Sequence, residues 1–224
     1  LQAKTREMEE KLQSVDVLNK EVRALVGLEE ENRGEAQPVL PVRREVNNLS
    51  SRGGESDFFD ELHGHLSFIE ERAELQSLKL AELKSDVQKQ LDYLAHIPDL
   101  WPLKGKITDS FGYRKSPFSR RREFHSGIDI KGNRGDAVVA AADGTVVLSE
   151  RKVVWGNLIV INHGNGYKTY YAHNSKLVVQ AGEKVKKGQM IAKVGSTGRS
   201  TGPHLHFGIE KNGEFIDPLT VLTD

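Results

Sequence analysis

From Met8 onward the apolar residues fall at Met8, Leu12, Val15, Leu18, Val22 and Leu25, a spacing of three and four that lays one stripe along a helix. The positions between are mostly Glu, Lys, Gln and Arg, and fraying is expected near residues 32–34. Pro38 and Pro41, then Ser50-Ser51-Arg52-Gly53-Gly54, interrupt any long helix, so residues 33–56 read as a hinge. A second stripe runs through Phe59, Leu62, Leu66, Ile69, Ala73, Gln76, Leu80, Leu83, Val87, Gln90 and Leu94, alternating three and four for about five heptads. Asp57 is the expected N-cap and Ile97-Pro98 the stop. So narrow a stripe cannot enclose a core of its own. It has to pack on the first helix or on another chain, as a spacer stalk, a self-association seam or a partner-binding element.

After Pro102 the texture changes to short β-type runs, at residues 137–141, 144–148, 157–162, 167–172, 190–194 and 204–210, separated by glycine turns such as Ala142-Asp143-Gly144 and His163-Gly164-Asn165-Gly166. The expected architecture is a helical coiled-coil segment over residues 1–97 and a mainly β domain of antiparallel sheets over 98–224.

Charge sharpens that boundary. The 224-residue chain has no net charge. Yet residues 1–96 carry 13 basic against 20 acidic side chains, net −7, and residues 97–224 carry 19 against 12, net +7. No run of 18 apolar residues is present, which excludes a membrane-spanning helix in this sequence. The chain begins at Leu1, and we expect it to be a fragment whose natural N-terminus, with a signal or a membrane anchor, lies upstream.

With no cysteine in the chain, thiolate ligands, disulfides and a cysteine nucleophile are excluded. A metal would have to be held by imidazole and carboxylate groups. His204-Leu205-His206 lies in an expected strand, where side chains at i and i+2 emerge on one face. His125-Ser126-Gly127-Ile128-Asp129 offers an imidazole and a carboxylate on either side of a glycine that lets the chain bend. Together these supply two or three His and one Asp, a set that suits zinc with one open position, although ligand type alone also admits copper or nickel. Alternation along 167–173 puts Tyr167, Thr169, Tyr171 and His173 on one face, where His173 reads as a packed strand-end residue. His163, in a glycine turn, reads as structural or exposed. The run Gly195-Ser196-Thr197-Gly198-Arg199-Ser200-Thr201-Gly202 lacks Gly-Lys-[Ser/Thr] and precedes a strand, so it is no phosphate loop and no nucleic-acid partner is expected. It is better suited to bring a substrate backbone beside His204. No Gly-x-Ser-x-Gly elbow and no His-Glu-x-x-His helix is present.

In combination, His125-Ser126-Gly127-Ile128-Asp129, Tyr171-Ala172-His173 and Gly198-Arg199-Ser200-Thr201-Gly202-Pro203-His204-Leu205-His206-Phe207 resemble the signatures of the lysostaphin-type (LytM-type) zinc endopeptidases of bacterial cell walls. Supporting matches are Trp101-Pro102, Phe111-Gly112-Tyr113-Arg114, the segment from Ala140 to Val146 and Asp217-Pro218-Leu219. The resemblance spans about residues 98–222. It implies an open-grooved β domain with Zn2+ on His125, Asp129 and His206, and with His173 and His204 as the catalytic pair. It also implies a peptidoglycan peptide substrate and an extracytoplasmic location in the bacterial envelope. Two departures, Asn174 after His173 and Gly208 after Phe207, fall beside the implied groove. The competing expectation from the same resemblance is a non-catalytic coiled-coil member that activates another wall hydrolase.

Overall fold

The computed structural model describes residues 2–25, 54–116 and 120–223. The chain divides into two compact units, residues 1–90 and 91–224. The expected hinge falls on residues 33–53, outside the described residues, apart from its last three positions.

In the first unit, helix α1 spans Gln2–Leu25 and helix α2 begins at Gly54 and ends at Ala95. Asp57 is therefore not the cap but a first-turn residue of α2. The expected stripe on α2 is only half covered. Leu62, Leu66, Ala73, Leu80 and Val87 are partly buried, whereas Ile69 and Leu83 are 39% and 49% exposed. Coverage is partial along the stripe, and it is least at Ile69, Leu83 and Leu94. On α1, Val22 is buried, and a Lys84–Glu21 ion pair joins the two helices. Among the described residues no helix is long and apolar enough to cross a membrane.

The second unit is built from antiparallel strands, as expected. In chain order they are β1 (Ile107–Asp109), β2 (Gly112–Lys115), β3 (Arg122–His125), β4 (Ile128–Lys131), β5 (Ala137–Val139), β6 (Gly144–Lys152), β7 (Gly156–Gly164), β8 (Tyr167–Asn174), β9 (Lys176–Leu177), β10 (Lys184–Val185), β11 (Met190–Lys193), β12 (His204–Lys211) and β13 (Glu214–Ile216). The main sheet runs β1-β4-β12-β8-β7-β6-β10, with β13 paired to β12; β5-β11-β9 form a second sheet, and β2-β3 a hairpin. Each of the six runs singled out in the sequence is a strand here. β1 to β4 were not among them, because they are only three or four residues long.

Alternation decides what each face does. Ile128 and Ile130 of β4, Leu205, Phe207 and Ile209 of β12, Tyr171 of β8 and Ile159 and Ile161 of β7 point to one side. There they form the core with Val138, Ile191 and Val194. Full burial of one such side chain contributes roughly 1.5–3 kcal/mol. The intervening residues of β4 and β12 emerge on the opposite face, beside a smaller apolar patch of Leu158, Val160 and Ala172 with Trp155 and Tyr170.

Candidate metal centre

β12 pairs with β4 so that His206 lies opposite Asp129 and His204 opposite Lys131. Directly opposed residues of neighbouring strands share a face, so this register brings an imidazole and a carboxylate together. His125 ends β3 and reaches the same point across the Ser126-Gly127 turn. The turn needs glycine for a reason other than bending, since a Cβ at Gly127 would sit 2.2 Å from the Phe207 carbonyl oxygen. Only the missing side chain lets the turn lie against β12.

The result is a tight triangle. His125 Nε2 is 2.9 Å from His206 Nδ1, His206 Nδ1 is 3.0 Å from Asp129 Oδ1, and His125 Nε2 is 3.2 Å from Asp129 Oδ1. These three residues form a group able to hold a metal ion. His125 Nδ1 is 2.8 Å from the Ser110 carbonyl oxygen, which can only accept, so Nδ1 carries that ring's proton and Nε2 presents a lone pair. A lone pair, a carboxylate and a second ring nitrogen converge within hydrogen-bond distance, an arrangement that asks for a shared cation. Ligands about 2.05 Å from a tetrahedral ion stand about 3.3 Å apart, close to the observed edges. His206 Nε2 is buried without a hydrogen-bond partner, and the Trp155 ring meets the His206 ring edge-on at 5.1 Å.

Electrostatics agree with this donor set. Burial alone would raise the Asp129 carboxyl, but the adjoining His125 and His206 nitrogens and their charge outweigh it and hold it below the usual carboxylate range. Burial lowers His206 despite Asp129 beside it. The imidazole therefore stays neutral and the carboxylate ionised, the forms that ligate.

His173 and His204 stand next to this triangle, their rings 4.9 Å apart, with His173 6.0 Å from the His206 ring. Each donates from Nδ1 to a backbone carbonyl, His173 to Thr197 and His204 to Gly202, both at 2.8 Å. Nε2 is left as the titratable nitrogen of each, and that of His204 lies 3.7 Å from Asp129 Oδ1. Burial pushes His173 down to about 4, the Thr197 carbonyl offsetting only part of it.

The face expected for His173 is wrong. Strict alternation would set it with Thr169 and Tyr171, which are in the core, yet its ring is on the opposite face with His204 and His206. The pairing of β7 with β8 slips just before Asn174, and His173 takes a positive φ of 63°. A bulge at this point re-aims the side chain.

All five side chains line one open cavity of about 390 Å³. Glu123, Phe124, Val154, Trp155 and Arg199 line it as well, and Arg199 reaches Glu123 at 3.4 Å. The sequence demanded acceptors for the imidazoles without naming them. For the ligand His125 the acceptor is the Ser110 carbonyl, and His206 Nε2 has none among the described residues, while His173 and His204 rest on the carbonyls of Thr197 and Gly202, which no side-chain motif can reveal. His163 lies outside the cavity: it is 1% exposed and bonded to the Asp143 carbonyl and the Thr169 hydroxyl, both at 2.7 Å.

Comparison with known proteins points the same way. The chain is 44% identical over 116 residues to the DD-carboxypeptidase/endopeptidase Mpg of Neisseria meningitidis serogroup B, covering 52% of this chain and 27% of that one. It is 41% identical over 123 residues to the murein hydrolase activator NlpD of Escherichia coli, covering 54% of this chain and 30% of that one. The chain thus spans less than a third of the length of these relatives. A zinc-containing peptidase from Vibrio cholerae superposes with a TM-score of 0.51 at 38% identity, over 55% of this chain and 39% of that one. Residues 123–218 match the model of peptidase family M23, and it is to this family that the chain, through its β domain, belongs.

Proposed function

We propose that the protein is a zinc-dependent endopeptidase that hydrolyses peptide cross-links of bacterial peptidoglycan. In this reading His125, Asp129 and His206 hold the ion, and His173 and His204 are the catalytic residues. The observation that carries it is the meeting of all five side chains in one solvent-open groove, three with lone pairs converging and two with Nδ1 anchored on carbonyls. When bound, zinc supplies Lewis acidity to a carbonyl and to water, and two neutral imidazoles with one carboxylate leave it a net positive charge. The chain's own residues do the rest. The anchored Nδ1 atoms fix both tautomers, so that proton traffic runs through Nε2. His173, kept neutral by burial, presents the lone pair of its Nε2 and is ready to accept a proton. The other imidazole returns a proton to the leaving amine.

Peptidoglycan lies outside the cytoplasmic membrane, so an extracytoplasmic location follows from the substrate. The net charge of +7 over residues 97–224 favours an acidic envelope polymer, an attraction that salt weakens. Residues 1–97 would then serve as a helical stalk or docking segment.

The similarity to NlpD favours a second reading, in which the domain binds and activates another wall hydrolase. The presence of all five polar side chains weighs for the enzyme. Zinc content and release of cleaved muropeptides, measured on one preparation, test the proposal. One zinc per chain with turnover is expected, and zinc without turnover would refute the enzyme and favour the activator.

A further inference from the structure

Asn157 faces Asn174, and Ile159 faces Tyr171. Between these pairs β7 supplies only Leu158, whereas β8 supplies Ala172 and His173. The surplus residue is His173, in a left-handed conformation that strains a non-glycine residue. Something must hold it there.

The groups that do so are two asparagines of the strands themselves and Thr197 from outside them. Thr197 Oγ1 accepts from the Asn157 N–H at 2.9 Å and donates to the Asn174 carbonyl at 2.8 Å, so one hydroxyl is inserted between a residue pair of the ladder. The Thr197 main chain grips His173 twice, its N–H on the His173 carbonyl at 3.2 Å and its carbonyl on His173 Nδ1 at 2.8 Å. Two side-chain amides cross over the same gap. Asn157 Nδ2 donates to the Asn174 carbonyl at 2.9 Å. Asn174 Nδ2 donates to the carbonyls of Asn157 and Tyr171 at 3.0 and 2.8 Å. Asn174 Oδ1 is buried with no partner, so this amide is retained for its donors alone. A Cβ at Gly156 would lie 2.3 Å from Thr197 Oγ1, which shows how closely the hydroxyl is seated on the strand.

We infer that the Thr197 hydroxyl, inserted between Asn157 and Asn174, is a positioning device that locks the bulge and so sets the place and tautomer of His173. Thr197 touches no reacting atom through its side chain. It acts by fixing the carbonyl to which His173 Nδ1 donates. The inference rests on the peptidase reading only for its kinetic consequence; the placement of the ring is a separate observable.

The test compares Thr197→Val with Thr197→Ser in the zinc-loaded full chain. Valine keeps the shape and the β-branch but neither accepts from Asn157 nor donates to Asn174; serine does both. The readouts are kcat and KM on a cross-linked muropeptide, bound zinc, and the long-range 1H–15N spectrum of the His173 ring. For Thr197→Val, kcat should fall about ten- to hundredfold with KM held within about twofold. Zinc should stay bound, and the ring should lose its single Nδ1–H form. Thr197→Ser should restore kcat to within about threefold and recover the original ring signals. Unchanged kcat in Thr197→Val, a loss of kcat with unaltered ring signals, or a serine variant as impaired as valine would each overturn the inference. Should Thr197→Val not fold, Asn157→Ala decides: the same ring perturbation supports the inference, and an unperturbed ring defeats it. A wild-type chain that binds zinc without turnover, but whose ring responds to Thr197→Val, would sink the peptidase reading and leave the positioning role standing.

Discussion

His163 offers a test of the energetics that needs neither metal nor substrate. Its ring is enclosed, with Nδ1 on the Asp143 carbonyl and Nε2 on Thr169 Oγ1. The Thr169 hydroxyl lies 2.9 Å from the Tyr171 hydroxyl, which accepts from the Ala141 N–H at 2.9 Å. The Thr169 hydroxyl donates to the Tyr171 hydroxyl, and a charge placed on the enclosed His163 ring would be held out of water. Burial accordingly pushes His163 down to about 4 from 6.5. The folded value lies below the unfolded one, so the unfolded chain binds more protons between them. This contribution to stability is complete above pH 6.5 and is lost as pH falls toward 4.

At 1.36 kcal/mol per unit, the span of 6.5 to about 4 amounts to roughly 3 kcal/mol. Both tryptophans, Trp101 and Trp155, lie in the second unit, so urea unfolding followed by tryptophan fluorescence reports on that unit. Metal-free wild type and His163→Gln should be compared at about pH 7.5 and about pH 4.5. The acid sensitivity of the metal-site groups is common to both and cancels in the difference. Wild type should lose about 2–3 kcal/mol more than the variant on acidification. Equal losses would refute the argument that a neutral, buried imidazole underlies the acid sensitivity.

Other consequences are as direct. Tyr171→Phe strips the Ala141 N–H of its acceptor within the core and should cost about 1–3 kcal/mol in the same assay. Asp129→Asn replaces the one anionic donor of the triangle, and mass-spectrometric metal analysis after dialysis should find little zinc; stoichiometric retention would argue against the assigned ligands. His204→Ala should keep its zinc and lose hydrolysis of muropeptides; loss of metal instead would move His204 among the ligands. Gly127→Ala forces a Cβ to within 2.2 Å of the Phe207 oxygen, so the turn must move away from β12. Zinc affinity, read by competition with a chromogenic chelator, should fall at least about tenfold.

The fold was legible where a side-chain pattern carries it. Val, Ile and Tyr runs between glycine turns marked β5 to β8, β11 and β12, because those strands bury one face against a core. The hairpin β2–β3 and the short β1 were not visible, since Gly-Tyr-Arg-Lys and Ile-Thr-Asp bury too little to leave a period, and β4, although it buries Ile128 and Ile130, is too short to stand out. On α2 the sequence showed two apolar rows, but only their neighbours determine which positions are covered. The ligand set was legible because i and i+2 on a strand must share a face, whatever surrounds them. Its backbone acceptors were not, since a carbonyl of Ser110 or Gly202 is chemically the same as any other.

His173 marks where reading by period breaks down. A period of two assigns each side chain to a face only while the ladder keeps register, and one surplus residue inverts the assignment for every position beyond it in the strand. Nothing in Tyr167 to His173 announces the slip, because its cause lies elsewhere in the chain, in a threonine 24 residues further on whose hydroxyl enters the ladder. A loop read as a carrier of substrate backbone thus also carries the part that turns His173 out of the core. Had the strand continued in register, the imidazole would have faced Tyr171 and the apolar interior, and two ring nitrogens able to exchange protons would not stand beside the metal triangle. The departure from alternation is therefore a condition of the chemistry proposed here, and the residues that enforce it, Thr197, Asn157 and Asn174, belong to the working site although none of them faces substrate.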